Sequence, residues 1–185
     1  PAQRLAEAAE LAAAAAQGYV LGDPTDEATQ LGPLVSHVQR DRVRSYISGA
    51  VNEGAVLVAG GRDRPAGLEH GYFVTPTVFS AVRPEMRIFT EEVFGPVLSI
   101  SGYRDEDDAV ALANASEYGL SGAVWSGDAD RAKAVARRLR TGQVTVNGGS
   151  YNFFAPFGGY RKSGLGRESG RYGFEEFLEV KSLQL

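Results

Sequence analysis

The sequence predicts an α/β fold in three layers, with a mostly parallel sheet flanked by helices. The stretch from 97 to 146 carries that expectation, because apolar strand-like runs at 97–100, 120–126 and 143–146 alternate with two helical patterns. Strand–helix–strand–helix–strand makes two consecutive βαβ crossovers, whose natural outcome is a parallel sheet covered by helices through right-handed connections. Neither an internal repeat nor a low-complexity linker interrupts the chain.

The elements follow in order. Residues 2–17 (AQRLAEAAELAAAAAQ) are strong helix formers that stop at Gly18. GDPTDE at 22–27 is a turn cluster, and Gly32-Pro33 is a second break. Ser36 opens a helix whose apolar positions Val35, Val38, Val43, Tyr46, Ile47, Ala50 and Val51 fall mostly at helical spacing, and Gly54 ends it. Ala55–Val58 reads as a short buried strand and 62–71 as a surface loop. Tyr72 to Val82 is β-rich, but Pro76 demotes it to an edge or broken strand. Asp105 is a good N-cap, with Glu106, Asp107 and Asp108 favouring the positive end of a helix that runs to about Asn114. Asp128 opens the next helix, which Gly142 is expected to end. Phe174–Leu178 reads as one helical turn, and Glu179–Leu185 as a terminal strand whose free edge would template pairing with another chain.

Bulk properties exclude several function classes. The 185 residues suit one domain with a real core, and a net charge of -4 gives no electrostatic reason to expect nucleic acid or an anionic membrane as partner. No apolar run approaches the roughly 20 residues of a membrane span and no signal peptide is visible, so a cytoplasmic protein is expected. Cysteine is absent, which removes disulfides, thiolate metal sites and a thiol nucleophile; with only His37 and His70, no metal site is expected. The chain begins at Pro1 and runs directly into a helix, so a piece of a longer protein is expected.

The stretch Asn147–Gly173 (NGGSYNFFAPFGGYRKSGLGRESGRYG) is far longer than the usual connection of roughly 4–6 residues. Its interleaved aromatics argue against disorder, so it reads as an ordered loop wrapping a site. Nucleotide motifs nearly match and fail. A Walker loop needs Gly immediately before its Lys, where Arg161 stands, and Gly164, Gly166 and Gly170 are one residue too long for the dinucleotide fingerprint. A structural glycine loop is the simpler reading of the spacing. Glu91-Glu92 beside Val93-Phe94-Gly95-Pro96 is a second candidate, as a carboxylate for ribose hydroxyls next to a ring for a flat heterocycle. From those residues alone, a turn with a solvated Glu and a core Phe is simpler. Arg161 and Lys162 suit an anion, or are merely solvated.

Taken together, the segments resemble the aldehyde dehydrogenase superfamily. The signatures are EEVFGPV at 91–97, NASEYGLSGAVWS at 114–126, VNGG at 146–149 and PFGGYRKSGLGRESG at 156–170. GDPTDEATQLGPLVS at 22–36, EGAVLVAGG at 53–61 and GYFVTPTVF at 71–79 follow the same order, so the likeness covers essentially the whole chain.

The resemblance implies that residues 1–178 are the C-terminal part of the catalytic domain and 179–185 an oligomerisation strand. It further implies an enzyme that oxidises a small-molecule aldehyde to a carboxylic acid, with NAD or NADP bound mainly by an N-terminal domain outside this chain. A cysteine thiolate attacks the aldehyde in such enzymes, because covalent capture splits one difficult oxidation into two easier steps. That thiolate, the general-base Glu and the oxyanion Asn lie outside this chain, so the segment alone is expected to be inactive. By the same likeness, Glu92 matches the acceptor for the nicotinamide-ribose hydroxyls and Phe94 the aromatic beside the nicotinamide, which reverses the simpler reading above. Phe157 matches an aromatic of the substrate tunnel, Phe153 or Phe154 lines it too, and Asn147 and Gly148 border it. Glu168 matches a glutamate linked to a proton relay, with an ion pair as its other reading. Arg167 and Glu179 match a pair that organises the subunit interface, so they are expected to touch, and the intact protein to form a homo-oligomer, a dimer or tetramer. A semialdehyde or CoA-acylating dehydrogenase is the alternative within the superfamily. Outside it stand a standalone, non-catalytic module that binds a nucleotide or partner, and a purely structural oligomerisation domain.

Overall fold

The computed structural model describes Pro1–Leu185, which divide into two compact units, Pro1–Asp105 and Glu106–Leu185. In the first unit a 3-10 turn, Ala2–Arg4, runs into α1 (Leu5–Gln17). The helix closes at Gly18, whose N–H reaches back to Ala14 O and Ala15 O. Next, α2 (His37–Asn52) starts where the sequence places it: Ser36 Oγ accepts the Gln39 N–H at 3.2 Å and satisfies an orphan donor of the first turn. At its far end Gly54 N–H bonds Val51 O and Ala55 N–H bonds Ala50 O, the paired closures of a Schellman end.

Three strands follow, β1 (Val56–Ala59), β2 (Thr77–Ser80) and, after the short α3 (Arg87–Thr90), β3 (Val97–Ser99). They form one sheet in the order β1-β2-β3, antiparallel and then parallel. Two expectations are corrected here. β1 is an edge strand with Val56 and Leu57 exposed, not a buried one, because it pairs on one side only. β2 is neither an edge nor broken; it is central, and all four residues are buried. Pro76 stands just ahead of the strand, so its missing N–H costs no ladder bond, and the Thr77 N–H goes to Pro96 O at 2.9 Å.

The hydrophobic core of this unit gathers around Phe79, with Val43, Ile47 and Ala50 from α2 and with Val74, Val82 and Met86. Of the apolar positions read in the sequence, Val43, Tyr46, Ile47 and Ala50 form the buried face of α2, whereas Val35, Val38 and Val51 are exposed. Each of these core side chains other than the Ala50 methyl stabilises the fold by roughly 1.5–3 kcal/mol when fully buried. The buried Thr77 hydroxyl is satisfied on both sides, donating to Thr75 O at 2.7 Å and accepting the Gly61 N–H at 3.0 Å.

The second unit contains α4 (Glu106–Ala113), β4 (Ser121–Val124), α5 (Ala129–Ala136), β5 (Gln143–Val146) and α6 (Gly170–Glu175). The Asp128 carboxylate caps α5 by accepting from Asp130 N–H at 2.9 Å and Arg131 N–H at 3.1 Å. β4 and β5 pair in parallel, from Ser121 with Gln143 to Val124 with Val146, which gives one expected crossover, β4–α5–β5. The other is not formed: β3 pairs with β2, so the single mostly parallel sheet is replaced by two small sheets. An apolar run announces a strand without naming its partner, and Phe79 O takes the Ile100 N–H at 2.9 Å.

Gly142 also has a different purpose from the one expected, since α5 already stops at Ala136. A Cβ on Gly142 would lie 1.5 Å from Gly158 O, so glycine here permits the loop after β5 to pass against its backbone. That loop is ordered. Phe157 and Glu168 exchange two backbone hydrogen bonds, at 2.7 and 2.6 Å, and Arg161–Ser163 forms a 3-10 turn. Residues 179–185 form no strand within the chain. No helix is long and apolar enough to cross a membrane.

Candidate functional site

In the first unit the segment 91–96 is bolted to one face of α2. Gln39 Nε2 donates to Val93 O at 3.2 Å and to Phe94 O at 2.8 Å, and Arg42 Nη2 donates to Glu92 O at 2.8 Å. A Cβ on Gly95 would come within 2.6 Å of Val43 Cγ2, so only glycine lets the segment lie this close. The adjacent carboxylates have opposite fates. Glu91 accepts from Tyr46 Oη at 2.6 Å and from Arg87 Nε at 3.1 Å, and Arg87, then Tyr46, hold its carboxyl below the ordinary Glu value. Arg87 in turn lies over the Tyr46 ring, 4.1 Å from its centroid. Glu92 is exposed and its carboxylate accepts no hydrogen bond from the chain, while Phe94, at φ 57°, leaves its ring 71% exposed. The backbone is spent on rigidity, and an acceptor and a flat ring are left free.

In the second unit Asn147 terminates β5 at φ 49°. Its Nδ2 donates to Ser126 O at 2.9 Å and its Oδ1 accepts the Ser126 N–H at 2.8 Å. Gly148, at φ 70°, brings its backbone against the Trp125 ring, where a Cβ would lie 2.8 Å from Cη2. Beyond them Tyr151 stacks edge-on with Phe153, centroids 4.9 Å apart, and lies 6.5 Å from the Phe157 ring. Phe157 is half-buried, whereas Phe153 and Phe154 are largely exposed. Of the two candidates beside Phe157, Phe153 joins the ring cluster through Tyr151 and Phe154 makes no ring contact.

The 156–170 and 114–119 segments clasp each other. Arg161 Nη1 donates to Asn114 O at 2.9 Å and to Ser116 O, Lys162 pairs with Glu117, and Ser163 Oγ accepts the Gly119 N–H at 3.0 Å. Asn114 is itself tied to the turn after α5 by Arg138 O at 2.9 Å and Arg140 N–H at 2.7 Å. Arg161 is a structural tie between the two segments, whereas Lys162 is held only by an exposed ion pair with Glu117. Arg167 donates to Gly159 O at 2.9 Å and Gly166 O at 2.8 Å and lies over the Tyr160 ring. The expected contact of Arg167 with Glu179 is not made within the chain. Glu176 instead meets the Arg167 N–H at 3.3 Å, and Glu179 is exposed in the segment without secondary structure. Glu168 is held through its backbone by Phe157, with its carboxylate free. No group of acidic, His or Cys side chains could hold a metal ion.

Sequence reasoning missed Gln39, Arg42 and Tyr151. The spacing of Gln39, Arg42, Val43 and Tyr46 on one helical face was a usable signal; for Tyr151 only its place in an aromatic run was available.

Comparison with known proteins adds the following. The profile described as "Aldehyde dehydrogenase family" matches residues 2–183. A 3-succinoylsemialdehyde-pyridine dehydrogenase from Pseudomonas sp is 52% identical over 183 residues, covering 99% of this chain and 38% of its own length. The crystal structure of a cysteine-to-alanine mutant of aldehyde dehydrogenase C from Pseudomonas syringae, complexed with NAD+ and octanal, superposes with a TM-score of 0.95 at 50% identity, over 98% of this chain and 37% of that one. That of a Mycobacterium tuberculosis aldehyde dehydrogenase complexed with NAD+ gives 0.91 at 44% identity, over 96% and 36%. The chain thus spans little more than a third of the length of the relatives it matches.

Proposed function

This chain belongs to the aldehyde dehydrogenase family, and from that premise we propose that it is the C-terminal part of the catalytic domain of an NAD(P)-dependent aldehyde dehydrogenase. The intact enzyme would oxidise an aldehyde to a carboxylic acid through a thioester. Cysteine is absent from the chain, so on this reading the nucleophile comes from residues outside it, and the isolated segment does not turn over.

One observation carries the reading most strongly: a loop hydrogen-bonded to α2 presents an unpaired carboxylate, Glu92, beside an exposed ring, Phe94. This pair fits a nicotinamide riboside, with the carboxylate accepting ribose hydroxyls and the ring packing on the heterocycle. NAD supplies a hydride acceptor when bound; these residues would orient it. Relatives crystallised with NAD+ favour NAD over NADP. The Tyr151, Phe153 and Phe157 cluster supports an apolar aldehyde, as does the engagement of Arg161 and Arg167 with backbone carbonyls and of Lys162 and Arg171 with carboxylates. The semialdehyde reading is favoured by one relative's name alone. Glu168 serves as a proton relay in this proposal, and Asn147 and Gly148 shape the tunnel border by fixing where β5 ends.

Residues 179–185 are proposed as an oligomerisation strand, Arg167 and Glu179 meeting at the interface of a homodimer or homotetramer. Their backbone makes no hydrogen bond within the chain, and Val180, Leu183 and Leu185 are exposed, as a strand awaiting a second chain would be. The test is Glu92→Gln in the full-length protein, assayed by NADH formation with octanal. A raised KM for NAD with unchanged folding is expected; an unchanged KM would sink the cofactor assignment.

A further inference from the structure

A second face of α2 lines a cleft that the reading above does not use. Asp41, Arg44, Ser45 and Ser48 recur at helical spacing and, with Arg62 from the loop after β1, line an open cleft of about 330 Å³. The Arg44 guanidinium is in an unusual state. Its Nε and Nη2 are shut off from solvent and have no hydrogen-bond partner, whereas buried donors are nearly always paired and an unpaired one is costly. Burial first, and then the facing Arg40 and Arg64, push the Arg44 pKa below its ordinary value; Arg62 adds to this and Asp41 opposes it.

The neighbours do not neutralise it. Asp41, the only acid on the cleft, is taken by Arg40 Nε at 2.9 Å. Arg64 is turned to the carbonyls of Leu68 and Glu69. Arg62 is exposed without an ion pair, and neither the Ser45 nor the Ser48 hydroxyl has a partner in the chain. One cleft is therefore lined by two guanidinium groups without an ion pair and by two hydroxyls without a hydrogen-bond partner in the chain, where positive charge is in excess. Arginine offers forked donors that match tetrahedral oxyanions, and charge-assisted bonds of this kind are the strong ones.

We propose that this cleft binds a small oxyanion of the phosphate class, gripped by Arg44 and Arg62 with Ser45 and Ser48 completing its hydrogen bonds. The test uses the full-length protein, titrated with sodium phosphate against sodium chloride at matched ionic strength, by calorimetry and by thermal shift. Saturable binding of phosphate over chloride is expected, weakened at least about tenfold in both Arg44→Gln and Arg62→Gln, since each removes one charge-assisted grip. If Arg44→Gln does not fold, Arg62→Gln, on an exposed loop, carries the test by itself. Repeating the titration with glycerol phosphate separates the sources: tighter binding than inorganic phosphate assigns the site to a phosphate monoester, and equal or weaker binding to free phosphate. Three results overturn the proposal: no phosphate effect beyond chloride, unchanged binding in Arg62→Gln, or loss of the effect in saturating NAD, which would place the phosphate in the cofactor site.

Discussion

Asn147 extends the parallel β4–β5 ladder with its side chain, because its amide exchanges two hydrogen bonds with the backbone N–H and C=O of Ser126. The sheet thus ends with a side chain standing in for a peptide unit, and the left-handed backbone of Asn147, at φ 49°, turns the chain into the long loop. Asn147→Asp keeps the shape and the acceptor but removes the donor to Ser126 O. A loss of about 1 kcal/mol is expected, the net worth of one such bond at an exposed site. It is read as a lower urea midpoint at unchanged m-value. An unaltered midpoint would mean that the amide pair is not made in solution.

Glu91 and Glu92 are indistinguishable in sequence and opposite in structure. Glu91→Gln is expected to destabilise, because it weakens the grip of Arg87 and Tyr46, whereas Glu92→Gln leaves stability unchanged. The pH dependence has a definite sign. The folded pKa of Glu91 lies below its ordinary value of 4.5, so the native state binds fewer protons than the unfolded one near that pH. The advantage of wild type over Glu91→Gln should be present in full above the ordinary value and fade as pH falls through the depressed one. Urea midpoints of both proteins across the acid range measure this, and an advantage that grows on acidification would contradict it.

Residues that act through local rules were legible. Ser36 and Asp128 cap their helices as their side-chain chemistry dictates, and 143–146 is the strand its apolar run announces. Partner choice was not legible: Val97–Ser99 joins β2 instead of β4, and nothing in a three-residue apolar strand encodes that. Pro76 misled because a one-residue offset separates a proline inside a strand from one that precedes it. For the candidate site, composition and spacing alone left Glu92 and Phe94 as an ordinary turn. The structure adds what spacing could not, namely which of two adjacent carboxylates is already engaged.

Gly142→Ala is expected to be among the most damaging single-methyl changes in the chain. The added Cβ would sit 1.5 Å from Gly158 O, backbone against backbone, with no flexible side chain to yield. Overpacking costs about 1–3 kcal/mol, occasionally more, and the upper end is expected here. Thermal unfolding of the variant checks it. Increased proteolytic nicking between 147 and 173 should accompany the loss, because the loop must lift to make room.

The clasp between the 156–170 loop and the 114–119 segment separates two basic neighbours that look equivalent in the sequence. Lys162 pairs with Glu117 where both side chains are more than 60% exposed, and ion pairs of that kind contribute little. Lys162→Met is therefore expected to leave stability unchanged. Arg161 donates to the carbonyls of Asn114 and Ser116, and Asn114 is fixed in turn by Arg138 and Arg140, so this guanidinium joins three parts of the unit. Arg161→Met removes both donations and should cost about 1.5–3 kcal/mol, the range for hydrogen bonds that involve a charged group. Arg161→Lys should recover part of that, since an ammonium reaches one carbonyl but lacks the fork for two. Urea unfolding of the three variants side by side tests the ranking. A larger effect at Lys162 than at Arg161 would show that charge pairing, and not the two carbonyl contacts, holds the loop.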